Sequence, residues 1–222
     1  MNIIVSEEIR TVCPNFVGAA VEGWVENSPF NHELWREIDA LCDECRSQLT
    51  TDTLKQLPGI EATRRVYKAC GKDPSRYRPA SEALIRRVLQ GKTLYQRDTL
   101  VDLVNLASMR YGYSIGGFDA DRIVGDTLTL GIGRAGEPYE GIGRGLLNIE
   151  GLPVYRDEQG GVGTPTSDNE RTKMTLQTTH LLVLINGYDG SEERVRANAD
   201  YIRSLCERHA QGQHFSVAIY HP

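Results

Sequence analysis

Apolar residues recur at helical spacing in the first half of the chain. This periodicity predicts four helices, at about residues 31–49, 60–70, 81–90 and 98–112. Local signals support the ends of the last two: Ser81-Glu82 opens the third, and Asp98 and Gly112 bound the fourth. We therefore expect a helical first half.

The fourth predicted helix carries two different faces. Asp98, Asp102, Asn105 and Met109 follow one stripe at intervals of about one turn, while the apolar residues of DTLVDLVNLASMRYG follow another. A polar stripe on an otherwise apolar helix indicates either the edge of a pocket or a face exposed to solvent. The pattern leaves both interpretations open.

After this helix the pattern changes to short apolar runs separated by glycines. The segments DTLTLGIG, GLLNIEG, LPVYRD and THLLVLIN read as strands. SEERVRANADYIRSLCERHAQG then predicts a helix with Ser191 as its N-cap, followed by a last strand, FSVAIY. Helices first and strands later predict an α+β fold. We expect one domain over residues 1–222, with a helical part at 1–70 and a C-terminal helix and strand at 191–222.

Charge is unevenly distributed along the chain. The net charge of the 222 residues is -5, but residues 61–97 hold ten basic and three acidic side chains, a net charge of +7. Three tyrosines lie among these basic residues. The segment predicts either a solvated helix surface or a contact surface for RNA phosphates. The five scattered cysteines and the lack of a signal peptide or membrane-spanning run favour a cytoplasmic protein with reduced thiols.

The glycine-rich stretch GIGRAGEPYEGIGRG satisfies the G-x-G-x-x-G pattern of a dinucleotide site. That pattern needs a helix after its last glycine, and Pro138 followed by Gly141 and Gly143 leaves no helix of useful length. A turn-rich connection between strands is the better interpretation. No serine-hydrolase or zinc-protease motif occurs either, so we expect neither a cofactor nor a metal site.

A second glycine-rich segment, GGVGTPTSDNERTKMT, concentrates small polar groups. Thr166, Ser167 and Asp168 supply hydroxyls and a carboxylate, and Gly161 and Gly163 allow main-chain N–H groups to approach a ligand closely. Its length without an apolar anchor favours a binding loop over a simple hairpin turn.

Five segments in a fixed order resemble the B3/B4 domain family, the tRNA-editing domain of the phenylalanyl-tRNA synthetase beta subunit. They are DPSRYRPASEALIRRVLQGKTLY, TLVDLVNLASMRYGYSIGGFDADRI, GEPYEGIG, LPVYRDEQGGVGTPTSD and THLLVLING. The resemblance covers about residues 70–190 as the editing-domain-like core. It implies N-terminal helices packed on a strand-rich sandwich.

The resemblance also implies a function and a set of site residues. Such a domain binds the aminoacylated 3′ end of tRNA and hydrolyses the ester of a wrongly attached amino acid in trans, without charging tRNA itself. Such a site needs little acid–base chemistry from the protein, because an activated ester attacked by a positioned water gains most from orientation and oxyanion stabilisation. On this basis five catalytic residues are predicted: Asp102 and Asn105 to organise the pocket, and Thr166, Ser167 and Asp168 to hold the ester end. The substrate-binding residues are predicted to be Gly117, Asp119, Glu137, Gly161, Gly163 and Asn186. The tRNA phosphates are assigned to Arg64, Arg65, Arg86 and Arg87.

The sequence departs from the family pattern at three positions. Gly117 stands in place of the family's histidine, Val104 in place of a threonine, and Asn186 near the position of a glutamate that reads a tyrosine hydroxyl. The identity of the amino acid is therefore left open. The departures also keep a second hypothesis open, a non-catalytic module that binds tRNA or an amino acid. Contact with a synthetase and a homodimer are two further expectations for partners, and no membrane partner is expected.

Overall fold

A computed structural model describes all residues from 1 to 222. The helices are α1 (Glu7–Val12), α2 (His32–Gln48), α3 (Pro58–Ala69), α4 (Ala80–Leu89), α5 (Thr99–Tyr111) and α6 (Glu192–His209). The strands are β1 (Asn2–Val5), β2 (Val17–Trp24), β3 (Ile115–Asp119), β4 (Thr127–Ile132), β5 (Glu140–Gly141), β6 (Gly145–Leu146), β7 (Pro153–Arg156), β8 (Gly161–Gly163), β9 (His180–Gly187) and β10 (Gln213–Tyr220).

Eight of the strands form two four-stranded sheets. The first sheet has the order β1-β4-β7-β8, in which β1 and β4 are parallel and the other pairs are antiparallel. The second has the order β10-β2-β9-β3 and is antiparallel throughout. β5 and β6 make a separate small hairpin. The two sheets and the helices give an α+β architecture, as the sequence predicts.

β9 lies at the centre of the packing because both of its faces are apolar. Leu182 and Leu184 belong to the cluster between the two sheets, whereas Leu181, Val183 and Ile185 belong to the cluster under the helices. Successive side chains of a strand point to opposite faces, so a run buried on both sides must be apolar throughout. The molecule therefore has three layers: the first sheet, the second sheet and the helices.

The prediction that residues 1–70 are helical is wrong for the first part of this segment. β1 and β2 lie there, and β2 pairs with β9 and β10 inside the second sheet. Val17, Ala19 and Val21 pack toward the helices. This run shows no polar and apolar alternation because β2 is also covered on both faces.

The ends of α5 and α6 follow from local hydrogen bonding. Asp98 caps α5 by accepting a hydrogen bond from the Val101 N–H, and Ser191 caps α6 in the same way through the Arg194 N–H. Gly112 ends α5 with a φ of 73°, a left-handed conformation that glycine adopts without strain. These three signals were readable in the sequence.

None of the helices combines the length and the apolar character needed to cross a membrane.

Candidate functional site

A pocket of about 820 Å³ opens between the helical layer and the loops that join the strands of the first sheet. Its walls come from α5, the start of α4, β3, the tip of the β5–β6 hairpin, the segment 164–168, and residues 173–174. Polar and apolar groups both line it. These elements are far apart in sequence, so only the fold brings them together.

Asp168 lies in this pocket with an unusual carboxyl environment. One of its oxygens, Oδ2, accepts a hydrogen bond of 3.2 Å from the Gly117 N–H. Gly116 and Gly163 lie directly against the other oxygen, since a Cβ built on either would come within 3.3 and 2.9 Å of Oδ1. Burial raises the pKa of Asp168 to about 7, and the Gly117 N–H opposes this rise. The carboxyl can therefore accept or release a proton near neutral pH.

Asn105 faces the pocket from α5. Its side chain is half-buried and makes no hydrogen bond within the protein. A half-buried amide without a protein partner is available to a ligand, because such groups are otherwise paired. Asp98, the N-cap of the same helix, also lines the pocket. Two residues of the predicted polar stripe, Asp98 and Asn105, therefore form part of the pocket wall.

Gly117 has a neighbour that explains why this position lacks a side chain. A Cβ at Gly117 would lie 2.7 Å from Met174 Cε and 3.4 Å from Val104 Cγ2. Gly117 sits in the extended strand β3 and not at a positive φ, so the restriction comes from space and not from backbone strain. Met174 lines the pocket where a residue larger than glycine at position 117 would project.

We expect the substitution Gly117→Ala to lower the free energy of unfolding by about 1 kcal/mol, because overpacking a filled site forces its neighbours to move. The methyl group of Met174 is the flexible end of a side chain and can yield. In a Met174→Ala background the cost of Gly117→Ala should therefore nearly vanish, which urea unfolding of the four proteins would measure. Equal costs in both backgrounds would contradict the packing explanation.

Asp102 supports the pocket from behind and does not line it. Its carboxylate accepts hydrogen bonds from Trp35 Nε1 at 2.7 Å and from the Arg97 N–H at 3.1 Å. Burial raises the pKa of Asp102, and these two hydrogen bonds oppose the rise. The residue is 2% exposed. It anchors the segment before α5, a position that suits the predicted role of organising the pocket.

Some residues of the glycine-rich segment 160–175 line the pocket, and others make contacts within the protein. Ser167 and Thr164 line the pocket beside Asp168. Thr166 points away, because its hydroxyl donates to the Tyr77 carbonyl and pairs with the Tyr67 hydroxyl. The glycines of β8 lie behind the pocket, where Gly161 allows Tyr139 to approach and Gly163 makes room for Asp168 and Phe118.

Three predicted substrate-binding residues lie outside the pocket and have partners of their own. Asp119 accepts a hydrogen bond from the Thr178 hydroxyl at 2.7 Å. Glu137 forms an ion pair of 2.6 Å with Arg156, and this partner helps to hold the pKa of Glu137 below its usual range although burial acts in the opposite direction. Asn186 bridges the Tyr155 hydroxyl and the Ser114 carbonyl in the core. The structure gives each of these three side chains a partner within the protein, and their assignment to the substrate stays a prediction.

The four arginines assigned to tRNA do not form one surface at the pocket. Arg64 is held by the buried carboxylate of Glu82 at 2.8 Å. Arg65 is exposed on α3 near Cys13: burial raises the pKa of the Cys13 thiol to about 11, and Arg65 opposes this rise. Arg86 is half-buried on α4 without a carboxylate partner, and Arg87 stacks on Tyr95. Only Arg87 contacts a residue of the pocket rim.

The predicted tRNA-binding residues do not include two arginines that reach the pocket, although one of them, Arg97, lies in the basic segment 61–97. Arg97 and Arg144 line it, and neither forms an ion pair. Arg97 precedes α5, and Arg144 lies with Ile142 and Gly143 in the glycine-rich stretch set aside above. That stretch is indeed a connection between strands, because Gly136 takes a φ of 69° and no helix follows. Its tip nevertheless forms part of the pocket wall.

Comparisons with known proteins identify the family of this chain. None of the curated proteins matches the chain. Among solved structures, an N-terminal fragment of the phenylalanyl-tRNA synthetase beta-subunit from Pyrococcus horikoshii is similar, with a TM-score of 0.49 and 14% sequence identity. The match covers 96% of this chain and 50% of that chain, so the protein spans half the length of that fragment. The family model described as the B3/4 domain matches residues 62–219, well over half of the sequence. The chain therefore belongs to the B3/4 domain family.

Proposed function

We propose that the protein binds the aminoacylated 3′ end of a tRNA and hydrolyses the ester of a wrongly attached amino acid in trans. The observation that carries this proposal is the pocket itself. It holds the Asp168 carboxyl on the Gly117 N–H, close to an unpaired amide on Asn105 and to two unpaired guanidinium groups. Membership of the B3/4 domain family supports RNA as the partner.

Asp168 serves as the general base in this proposal. Its carboxylate takes a proton from water while the water oxygen bonds to the carbonyl carbon of the ester. The tetrahedral intermediate then breaks the bond between that carbon and the ribose oxygen, and the proton passes from Asp168 to the ribose oxygen. The products are the free amino acid and RNA with a free hydroxyl, and the carboxylate is restored.

Asn105 stabilises the charge that develops during the attack. Its side-chain amide is directed at the pocket and is not engaged by the protein. N–H donors aimed at a developing oxyanion strengthen in the transition state, which is where they accelerate the reaction. The Gly117 N–H is already bonded to Asp168, so it positions the base and does not contact the substrate.

Arg97 and Arg144 neutralise the phosphates next to the terminal ribose. Both guanidinium groups lie at the pocket and have no carboxylate partner, so their charge is available to RNA. Lys173 also lines the pocket but forms an ion pair with Glu170. Phosphate contacts of this kind position a nucleic acid without reading its sequence.

The direct test uses a panel of mischarged tRNAs with a radiolabelled amino acid. The purified protein is expected to release the amino acid from at least one of them faster than spontaneous hydrolysis at the same pH. Replacing Asn105 by alanine should slow that release by about 100-fold, the usual effect of losing one oxyanion donor. Failure to deacylate any member of the panel would refute the enzymatic proposal.

A second function is favoured by the contact between Met174 and Gly117. Met174 occupies space at the position where the family's histidine would project, so the same pocket would bind the aminoacyl end without cleaving it. In that case tRNA binding falls steeply with salt and no amino acid is released. The panel separates the two functions, because binding and release are measured on the same substrates.

A further inference from the structure

An exposed aromatic ring stands at the rim of the pocket. Tyr95 lies in the segment 92–97 between α4 and α5, lines the pocket and is 62% exposed. Trp24 and Phe30 are the other substantially exposed aromatic residues, at 49% and 37%, and neither lines the pocket. An aromatic side chain left in water beside a pocket is the type of group that binds a ligand.

The backbone on both sides of Tyr95 is held in place. The Thr93 carbonyl accepts a hydrogen bond of 2.5 Å from Arg87 Nε, and the Arg97 N–H donates to the buried carboxylate of Asp102. Leu94 packs against the main core. The ring is therefore presented from an anchored segment, which lowers the entropy lost when a ligand binds.

Two guanidinium groups flank the ring. The Cζ atom of Arg87 lies 3.9 Å from the ring centroid of Tyr95 and that of Arg97 lies 5.5 Å from it. Neither arginine is paired with a carboxylate. Arg87 lies over the ring and covers part of it, but Tyr95 remains 62% exposed, so the ring still offers a stacking surface for a nucleobase together with a counter-charge for the adjacent phosphate. Proteins that bind unpaired bases combine these two features.

We infer that Tyr95, with Arg87 and Arg97, is the stacking platform for the unpaired nucleobase at the 3′ end of the bound RNA. The inference rests on the proposed function, in which the ester of the terminal ribose enters the pocket. The base belongs outside, on the rim, because it is attached to that ribose and the phosphate on the 5′ side of the same ribose must meet the free guanidinium of Arg97. Stacking of this kind uses the ring of Tyr95 and does not require its hydroxyl.

The test uses a single-stranded RNA that ends in cytidine, cytidine and 2-aminopurine, whose fluorescence is quenched by stacking. The wild-type protein should quench this probe, and Tyr95→Phe should quench it equally because the ring is kept. Tyr95→Leu should abolish the quenching and weaken binding about 10-fold, the scale on which one stacked base contributes. Trp24→Leu, a matched loss of an exposed aromatic away from the pocket, should leave both measurements unchanged.

Two outcomes overturn the inference: no quenching by the wild-type protein, or equal quenching by wild type and Tyr95→Leu. If Tyr95→Leu instead slows release of an aromatic amino acid from charged tRNA but leaves the probe quenched, the ring contacts the amino acid and not the base. The probe carries no ester and needs no turnover. If the protein does not hydrolyse any charged tRNA, the quenching of the probe can still be measured. If Tyr95 does not stack on the base, the release of amino acid from a charged tRNA can still be measured.

Discussion

Replacing Asp168 by asparagine is expected to reduce ester hydrolysis by about 100-fold or more, the scale of a lost general base. Asparagine keeps an oxygen that can accept the hydrogen bond from the Gly117 N–H, so the loop should stay in place. The wild-type rate should rise about tenfold per pH unit up to about pH 7 and level off above it, because burial raises the pKa of Asp168 to that value. The variant should lack this titration.

The same substitution should stabilise the folded protein at neutral and alkaline pH. The carboxyl has its usual pKa of 3.8 in the unfolded chain and about 7 in the fold. Between about pH 4 and pH 7 the unfolded chain releases a proton that the fold retains, so the stability of the wild type falls as pH rises. Asparagine at position 168 does not ionise, so the variant does not lose this stability as the pH rises. Since each unit of pKa shift corresponds to about 1.4 kcal/mol, the gain above pH 7 should be about 4 kcal/mol.

Thermal unfolding at pH 4 and pH 8, combined with deacylation rates over the same range, checks both expectations. The melting temperatures of wild type and Asp168→Asn should nearly coincide at pH 4 and diverge by several degrees at pH 8. Asp52→Asn is the matched control, since the Asp52 side chain is 92% exposed. A variant that keeps the wild-type rate and pH profile would exclude Asp168 as the base.

Replacing Arg64 by methionine is expected to lower the free energy of unfolding by about 3 kcal/mol, because it leaves a buried carboxylate without its main partner. Arg64 Nη1 donates to both oxygens of Glu82, at 3.0 and 2.8 Å. The Glu82 side chain is 1% exposed, and its other cation, Arg78, is 3.6 Å away. The pair joins α3 to α4.

Arg65→Met provides the control one residue along the same helix. Arg65 is exposed and forms no ion pair, so its loss should change stability by no more than about 0.5 kcal/mol. The double variant Arg64→Met/Glu82→Leu should recover much of the loss, since no uncompensated charge remains. Urea unfolding measures all three proteins. An equal effect of Arg64→Met and Arg65→Met would show that the buried pair contributes little and would return Arg64 to the residues available for RNA.

Much of the helical half was predictable because its signals are local. Asp98 and Ser191 cap their helices through hydrogen bonds to residues three positions along the chain. β1 is different, since its register places Asn2 opposite Thr127. A four-residue strand has no internal pattern strong enough to reveal a partner that distant. β2 has eight residues but is covered on both faces and shows no alternation, so the sequence predicts a helical segment over residues 1–70 although it contains two strands.

The candidate site was predictable only in part. The glycines and hydroxyls of residues 160–175 predict a binding loop, and in the structure Thr164, Ser167 and Asp168 of this segment line the pocket. Within it, Ser167 faces the pocket while Thr166 is bonded to Tyr67 and Tyr77. The amino-acid sequence alone does not show which of these two adjacent hydroxyl groups faces the pocket. The density of arginines was equally visible, but the contact of Arg64 with Glu82, 18 positions away, was not.

The sequence by itself determined the α+β class, the limits of the last two helices and the residue types of the polar loop, because capping, periodicity and turn chemistry act over a few residues. The tertiary structure alone decided which of these groups meet. In the folded protein the Asp168 carboxyl accepts a hydrogen bond from the Gly117 N–H. Arg97 and Arg144 line the pocket, whereas Arg64 and Arg65 do not. Asn186 is buried in the core, where it donates to the Ser114 carbonyl. The pKa of a carboxyl and the availability of a guanidinium depend on burial and on neighbours that are distant in the chain, and these exist only once the layers have packed.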